Sequence, residues 1–210
     1  PIVGTSITDE AAACCMKDLT GLSGKNISGK SDIAPLDQQA ARIKDLVPDV
    51  TQIGILYCSA EPNSKYQAVQ IEKYIDKEGI AYKEYTAADS NEIQTATTNA
   101  CSECEDLYVP TDNTMAAYVE VIKNIAIQAK VQMNAGEPGL CDGGIATLSI
   151  NYYDLGYETG EMAYEILVNG ADIKTMEIKT APKTTKMYNK ANCEALGITV
   201  PEGYEPLPEE

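Results

Sequence analysis

The chain contains no histidine, no tryptophan and no phenylalanine. Without histidine it lacks the side chain most used as a general base near neutral pH, and the commonest metal ligand. Without phenylalanine and tryptophan, every aromatic contact falls to its 13 tyrosines. Basic residues are scarce, 16 against 32 acidic, for a net charge of −16. Such a surface repels phosphate backbones and anionic membranes, so a nucleic-acid partner is not expected. No run of about 18 apolar residues occurs, so no stretch has the length of a membrane-spanning helix. There is no Gly-x-Ser-x-Gly and no carboxylate pair facing an evident electrophile. Cys58 sits at a strand end but has no histidine to activate it as a nucleophile. Neither an enzyme nor a cofactor is expected.

The seven cysteines form an odd set. Cys101-Ser-Glu-Cys104 has CxxC spacing but precedes a strand, whereas a redox site of that kind opens a helix whose N-terminus depresses the thiol pKa. One such pair without histidines also makes a poor zinc site. A packing role is expected for Cys101 and Cys104, and for Cys14, Cys15, Cys58, Cys141 and Cys193.

Hydrophobic residues make up 44% and charged residues 23% of 210, which suits one or two soluble domains at roughly 100–200 residues each. The chain opens on Pro1 with a strand, Ile2–Ser6, directly behind it. This is expected of a fragment or a processed chain. A helix from about Glu10 to Asp18 follows, and Gly21–Ser31 reads as a connection. Leu36 to Val47 has helical apolar spacing, and Ile53-Gly-Ile-Leu56 is continuous and apolar, as buried parallel strands are. A helix over Lys65–Glu78, a strand over Ala81–Thr86 and a helix from Ser90 or Asn91 to about Ala100 come next. Beyond them lie a strand over Leu107–Val109, a helix over Met115–Ala129, strands at Val131–Ala135 and Ile145–Ile150, and a helix over Tyr153–Asn169. Met176–Lys179 and Thr184–Tyr188 look extended, Ala191–Leu196 is a short helix, and the acidic tail after Pro201 is expected to be loose. Alternation of strands and helices argues for parallel sheets flanked by helices.

The stretch Asp106–Met115 concentrates the chemistry. Pro110 ends the strand, because proline donates no ladder hydrogen bond. Thr111, Asp112, Asn113 and Thr114 then place hydroxyls, an amide and a carboxylate at a helix start. Open α/β sheets hold small ligands at that edge. The same side chains serve equally well as plain helix caps. Three further strand ends are built alike. Ile53–Tyr57 feeds Ser59, Glu61, Asn63 and Ser64; Val131–Ala135 feeds Glu137; Ile145–Ile150 feeds Asn151, Tyr152 and Tyr153. Four such ends are what recognition of a small polar ligand requires.

Pro1–Asp9, Gly29-Lys-Ser-Asp32, Ile53–Tyr57 with Ser59 and Glu61–Ser64, Tyr108–Thr114, and Asn151–Gly156 with Thr159-Gly160 together resemble one family. It is the substrate-binding component of ABC importers, in the group assigned to tryptophan and tyrosine uptake. The resemblance covers nearly the whole chain. It implies a type I periplasmic-binding-protein fold: two Rossmann-like lobes with parallel sheets flanked by helices, the ligand between them, and here a first lobe that is truncated. By the resemblance, residues 1–30 and 151–180 form the truncated first lobe, and 31–150 with 181–210 the second. Crossovers fall near Gly29–Ser31, Ile150–Asn151 and Lys179–Lys183.

The family's role implies an extracytoplasmic protein, at the cell surface as a lipoprotein or in the periplasm, that delivers its ligand to a membrane permease. An amino-acid ligand needs donors for its carboxylate, for which Ser59, Asn63 and Ser64 are the candidates. It needs a carboxylate for its ammonium, Asp112 first and Glu137 second. It needs a tyrosine to stack an aromatic side chain, Tyr152 ahead of Tyr57 and Tyr153. Thr111, Asn113 and Asn151 complete this wall, and Ser6 and Thr8 face it from the first lobe. Glu61 either joins the site or stabilises its helix N-terminus. No metal site is expected. A truncated lobe would leave a sheet edge that a homodimer covers. The competing reading is a ligand-sensing effector domain for a sugar or nucleoside, since fold alone does not fix function.

Overall fold

The computed structural model describes residues 1–9, 21–181 and 183–208. The helix expected at Glu10–Asp18, with Cys14 and Cys15, lies outside these. The strands are β1 (Ile2–Thr5), β2 (Ile27–Ser31), β3 (Gln52–Cys58), β4 (Ala81–Ala87), β5 (Asp106–Val109), β6 (Gln132–Ala135), β7 (Ala146–Ile150), β8 (Lys179–Thr180), β9 (Thr184–Tyr188) and β10 (Glu205–Pro206). The described α-helices are α1 (Leu36–Leu46), α2 (Pro62–Lys77), α3 (Ile93–Glu103), α4 (Asn113–Ala117), α5 (Val119–Ala129), α6 (Tyr152–Leu167) and α7 (Lys190–Leu196). They gather into two compact units, Pro1–Ala34 with Ile150–Thr184, and Pro35–Ser149 with Thr185–Glu210.

The first unit is built on a three-stranded sheet ordered β1-β2-β8, with parallel pairing on both sides of β2. The Gly/Ser-rich stretch read as a connection thus contains the middle strand. Ser28 and Ser31 are fully buried, and Ser28 Oγ donates to the Met176 carbonyl at 2.9 Å. Pairing on both flanks, rather than β-propensity of its own residues, makes this segment a strand. Thr159 on α6 donates to the Leu155 carbonyl at 2.8 Å and lies 3.2 Å from the Thr5 hydroxyl. Lys30 pairs with Glu158.

The second unit carries a seven-stranded sheet ordered β10-β9-β7-β6-β5-β3-β4. Its central pairs are parallel, with Ile53 opposite Asp106 and Tyr108 opposite Asn134. Side chains alternate between two faces. Leu56, Leu107, Val109, Met133 and Ala135 face one way and pack with Ile93, Ala100, Met115, Ile122 and Leu140. Burying each of the larger aliphatic chains is worth about 1.5–3 kcal/mol, so this face contributes substantially to the unit's stability.

The opposite face is polar as well as apolar. Beside Ile53 and Ile55 it carries Asp106, Tyr108 and Asn134, under Gln39 and Arg42 of α1 and Gln67 of α2, all of them buried. Arg42 Nη2 donates to the Ala135 carbonyl at 3.2 Å, and Asn134 Nδ2 donates to both Asp106 oxygens at 3.2 and 2.9 Å.

Two further expectations are corrected. The helix over Met115–Ala129 is two helices broken at Tyr118, whose amide turns back to the Met115 carbonyl at 3.1 Å. The acidic tail is held rather than loose: β10 pairs with β9, and Tyr204 packs against the buried cluster of Leu46, Ile145, Ala146 and Cys193. A composition reading misses this because partners elsewhere in the sheet, not local propensity, hold the tail.

Burial pushes the Asp106 carboxyl up to about 8, against the pull of Asn134 and Arg42. With its folded pKa above the ordinary 3.8, the neutral carboxyl stabilises the fold fully below about pH 4. That contribution is lost as pH rises through about 8. Asp106→Asn, neutral and of the same shape, should therefore melt above the parent at pH 8 and close to it at pH 4. Thermal melts by circular dichroism across that range measure the difference.

Candidate functional site

Pairing of β3 with β5 brings their carboxyl ends to the same sheet edge, and two loops leave it side by side. The first, Ser59–Glu61, runs into α2, where Pro62 occupies the first turn with φ already set for a helix. The second, Pro110–Asp112, runs into α4 with Asp112 as N-cap. Each loop sends a carboxylate into the other. From the first, Glu61 accepts from Asn113 N at 3.0 Å, Asn113 Nδ2 at 3.1 Å, Thr114 N at 2.7 Å, Thr114 Oγ1 at 2.6 Å and Asn63 Nδ2 at 3.2 Å. From the second, Asp112 accepts from Cys58 N at 2.7 Å through one oxygen and from Met115 N at 2.8 Å through the other.

A third set of contacts holds the Thr111 peptide between them. Asn63 Nδ2 and Ser64 Oγ both donate to its carbonyl at 3.1 Å, and its N–H donates to Gln67 Oε1 at 2.7 Å. Gly136, at the end of β6, lies beneath. A Cβ there would come within 2.9 Å of Pro110 Cα and 3.0 Å of Thr111 N, so the glycine is required by close approach of backbone.

Partial burial by itself would raise the Glu61 pKa. The hydrogen bonds from Thr114, Asn113 and Asn63 outweigh it and bring the carboxyl down to about 2. Glu61 is therefore ionised throughout the physiological range.

The expected site residues fall into two groups. Ser59, Glu61, Asn63, Ser64, Thr111, Asp112, Asn113 and Thr114 are gathered at one corner of the second unit. Within it, the ammonium role expected of Asp112 does not fit its geometry. The residue is 1% exposed and both oxygens are engaged by backbone amides, so it builds the corner and turns away from solvent. Glu137 is likewise a cap, accepting from Gly139 N at 2.8 Å and Leu140 N at 2.7 Å. Tyr57 is core: it is 3% exposed, and burial followed by Glu84 pushes its phenol up to about 12.

In the first unit, Asn151 N-caps α6, accepting from Tyr153 N at 2.9 Å and Asp154 N at 3.2 Å. Tyr152 and Tyr153 follow it, 40% and 77% exposed. Thr8 is buried and donates to Asp32 Oδ1 at 2.8 Å. Ser6 is exposed just past β1 with φ of 55°, a left-handed backbone that a non-glycine residue adopts at a cost of about 1–3 kcal/mol. Sequence reasoning passed over Gln67 and Gly136. The signal for Gln67 was a polar residue on the buried face of α2, and for Gly136 a glycine one residue past a strand end.

Among the described residues Cys58, Cys101, Cys104, Cys141 and Cys193 are free, and burial pushes Cys101 up to about 11 and Cys141 up to about 12. No group of His, Cys, Asp or Glu among the described residues is arranged to hold a metal, and no described helix is long and apolar enough to cross a membrane.

The chain has counterparts among known proteins. The model of the ABC transporter substrate binding protein family matches residues 1–209. The chain belongs to that family. It is 32% identical over 199 residues, 94% of its length, to a tyrosine-binding protein of Clostridioides difficile strain R20291, and it spans 57% of that relative. The ABC domain in complex with L-Trp from Streptococcus pneumonia superposes with a TM-score of 0.86 at 33% identity, over 96% of this chain and 68% of that one. The ligand-free, open structure of a substrate binding protein with adhesive properties from Clostridium difficile gives a TM-score of 0.81 at 34% identity, over 100% and 72%. The fold of this ABC substrate-binding chain is the type I periplasmic-binding-protein fold that the sequence led one to expect.

Two outcomes follow from the corner's geometry. Glu61→Gln, which keeps one acceptor oxygen and loses the charge, should cost about 1–3 kcal/mol at neutral pH, as charged hydrogen bonds do. Because the folded pKa lies below the ordinary 4.5, that stability is present above about pH 4.5 and lost as pH falls through about 2. Denaturant titrations at pH 7 and pH 3 should therefore show a smaller penalty at the lower pH. Gly136→Ala should lower the melting temperature and shift the amide resonances of Thr111 and its neighbours, since only backbone stands in the way of the added methyl.

Proposed function

We propose that this chain is the ligand-binding part of an ABC importer's solute-binding protein. Its ligand is an amino acid with an aromatic side chain, tryptophan or tyrosine. In this reading the protein works outside the cytoplasm, performs no chemistry, and hands its ligand to a membrane permease. The observation that carries the reading is the interlocked corner at the carboxyl edge of β3 and β5, in a family whose relatives include a tyrosine-binding protein and a domain bound to L-Trp.

The corner suits such a ligand physically. Its loops are cross-linked by their own hydrogen bonds, an arrangement that lowers the ordering entropy opposing binding. Glu61 is ionised and half-buried, and with its oxygens already engaged by Asn113, Thr114 and Asn63 it offers an ammonium the field of its charge and not a direct bond. The exposed Ser59 and the half-buried Asn63 and Thr111 stand where a carboxylate would be received. Tyr152 and Ser6, candidate ligand contacts by the resemblance, are exposed within their own unit, where Tyr152 offers an aromatic face for stacking, worth about 0.5–1.5 kcal/mol beyond its buried area.

Calorimetric titration of the full-length protein with L-tryptophan, L-tyrosine, L-phenylalanine and L-leucine tests the proposal. Heat with an aromatic amino acid is expected, and Glu61→Gln should weaken it by about tenfold, the equivalent of about 1.4 kcal/mol. Silence with all four amino acids would remove the amino-acid reading and redirect the search to sugars and nucleosides.

A further inference from the structure

Three polar side chains, Gln39, Gln67 and Tyr108, are fully buried beneath the β5 face of the second unit. They form one continuous relay. Thr111 N–H donates to Gln67 Oε1 at 2.7 Å, Gln67 Nε2 donates to the Tyr108 hydroxyl at 3.0 Å, and Tyr108 O–H donates to Gln39 Oε1 at 2.6 Å. All three bonds point the same way, from the loop at the sheet edge inward to α1. Bonds aligned head to tail polarise and strengthen one another, most of all in a low-dielectric interior. The final bond is the shortest of the three, as an O–H donor ordinarily makes it.

Apolar side chains would fill this space without any of these partners to satisfy. What the polar set supplies is a single fixed position for the Thr111 N–H. The carbonyl of the same residue is held separately by Asn63 and Ser64, one turn of α2 earlier than Gln67, and Gly136 closes the space below. The two peptide groups on either side of the Thr111 Cα are therefore both held.

We propose that Gln67, Tyr108 and Gln39 are positioning residues for ligand binding, a buried relay that sets the Thr111 peptide and through it the ligand-facing wall Thr111–Thr114. The inference rests on the reading of that wall as the amino-acid site. None of the three residues touches the ligand; they act through the Thr111 amide.

Tyr108→Phe removes the hydroxyl and leaves the ring. In the full-length variant, two quantities are measured: the 15N–1H amide shift of Thr111 without ligand, and the calorimetric Kd for whichever aromatic amino acid the parent binds. The Thr111 amide proton should move upfield, and Kd should rise roughly 3- to 10-fold, the loss expected of one weakened hydrogen bond. Leu107→Val, on the same strand with its side chain on the opposite face, is the control. It should lower the melting temperature and leave Kd unchanged. A Tyr108→Phe protein whose Kd stays within twofold of the parent, or whose Thr111 amide does not move, overturns the proposal. So does a Leu107→Val protein with the same loss of affinity, since general destabilisation would then account for both. If Tyr108→Phe does not fold, Gln39→Met cuts the relay at its far end and is read by the same two measurements. Silence of the parent itself overturns the amino-acid reading underneath, and is told apart because it appears before any substitution is made.

Discussion

The reciprocal exchange of carboxylates between two neighbouring loops is the constraint on which the corner depends. Glu61 leaves the β3 loop to satisfy the amides at the start of α4, and Asp112 leaves the β5 loop to satisfy the Cys58 amide at the end of β3. Helix starts and strand ends carry unpaired N–H groups that must find acceptors. Here each loop finds them in its neighbour, so neither can move alone. Such cross-bracing makes a loop, ordinarily the most mobile part of a domain, as fixed as the sheet beneath it.

Backbone pairing makes the clasp available. The register of β3 against β5, Ile53 opposite Asp106 and Ile55 opposite Tyr108, brings the two strand ends level. A shift of one residue would turn Tyr108 to the opposite face and break the relay to Gln39 and Gln67. The apolar face of the sheet therefore sets the stability of the unit, while its polar face sets the position of the loop. Asp106 belongs to that polar face. Its raised pKa comes from burial, with Asn134 and Arg42 working against the rise.

For an ABC substrate-binding protein this division has functional sense. A ligand receptor needs donors and charge in place before the ligand arrives, because ordering them on binding would subtract from affinity. On the proposed reading of the corner, several of the polar residues expected to contact a ligand serve as scaffold instead. Asp112, Glu137 and Asn151 cap helices, and Thr8 and Asp32 are bonded to each other. Polar residues at strand ends are thus partly site and partly scaffold, and residue type alone does not separate the two.

Much of this was legible in the order of the residues. Alternating apolar strands and amphipathic helices, Pro110 as punctuation, and the Tyr108–Thr114 segment led to parallel sheets, to the family, and to the corner as the chemical centre. The rest was decided only by tertiary structure. Ile27–Ser31 is a strand because two partners pair with it, and the segment around Glu205 is held because β9 accepts it. Asp112 turns inward because Cys58, 54 residues earlier, presents an amide to it. Gln67 faces Thr111, and Gly136 is kept bare by Pro110, through contacts that no local window contains. Local sequence sets propensity and punctuation, which act over a few residues. The direction a polar side chain takes is set by whichever unpaired group the fold brings within about 3 Å of it.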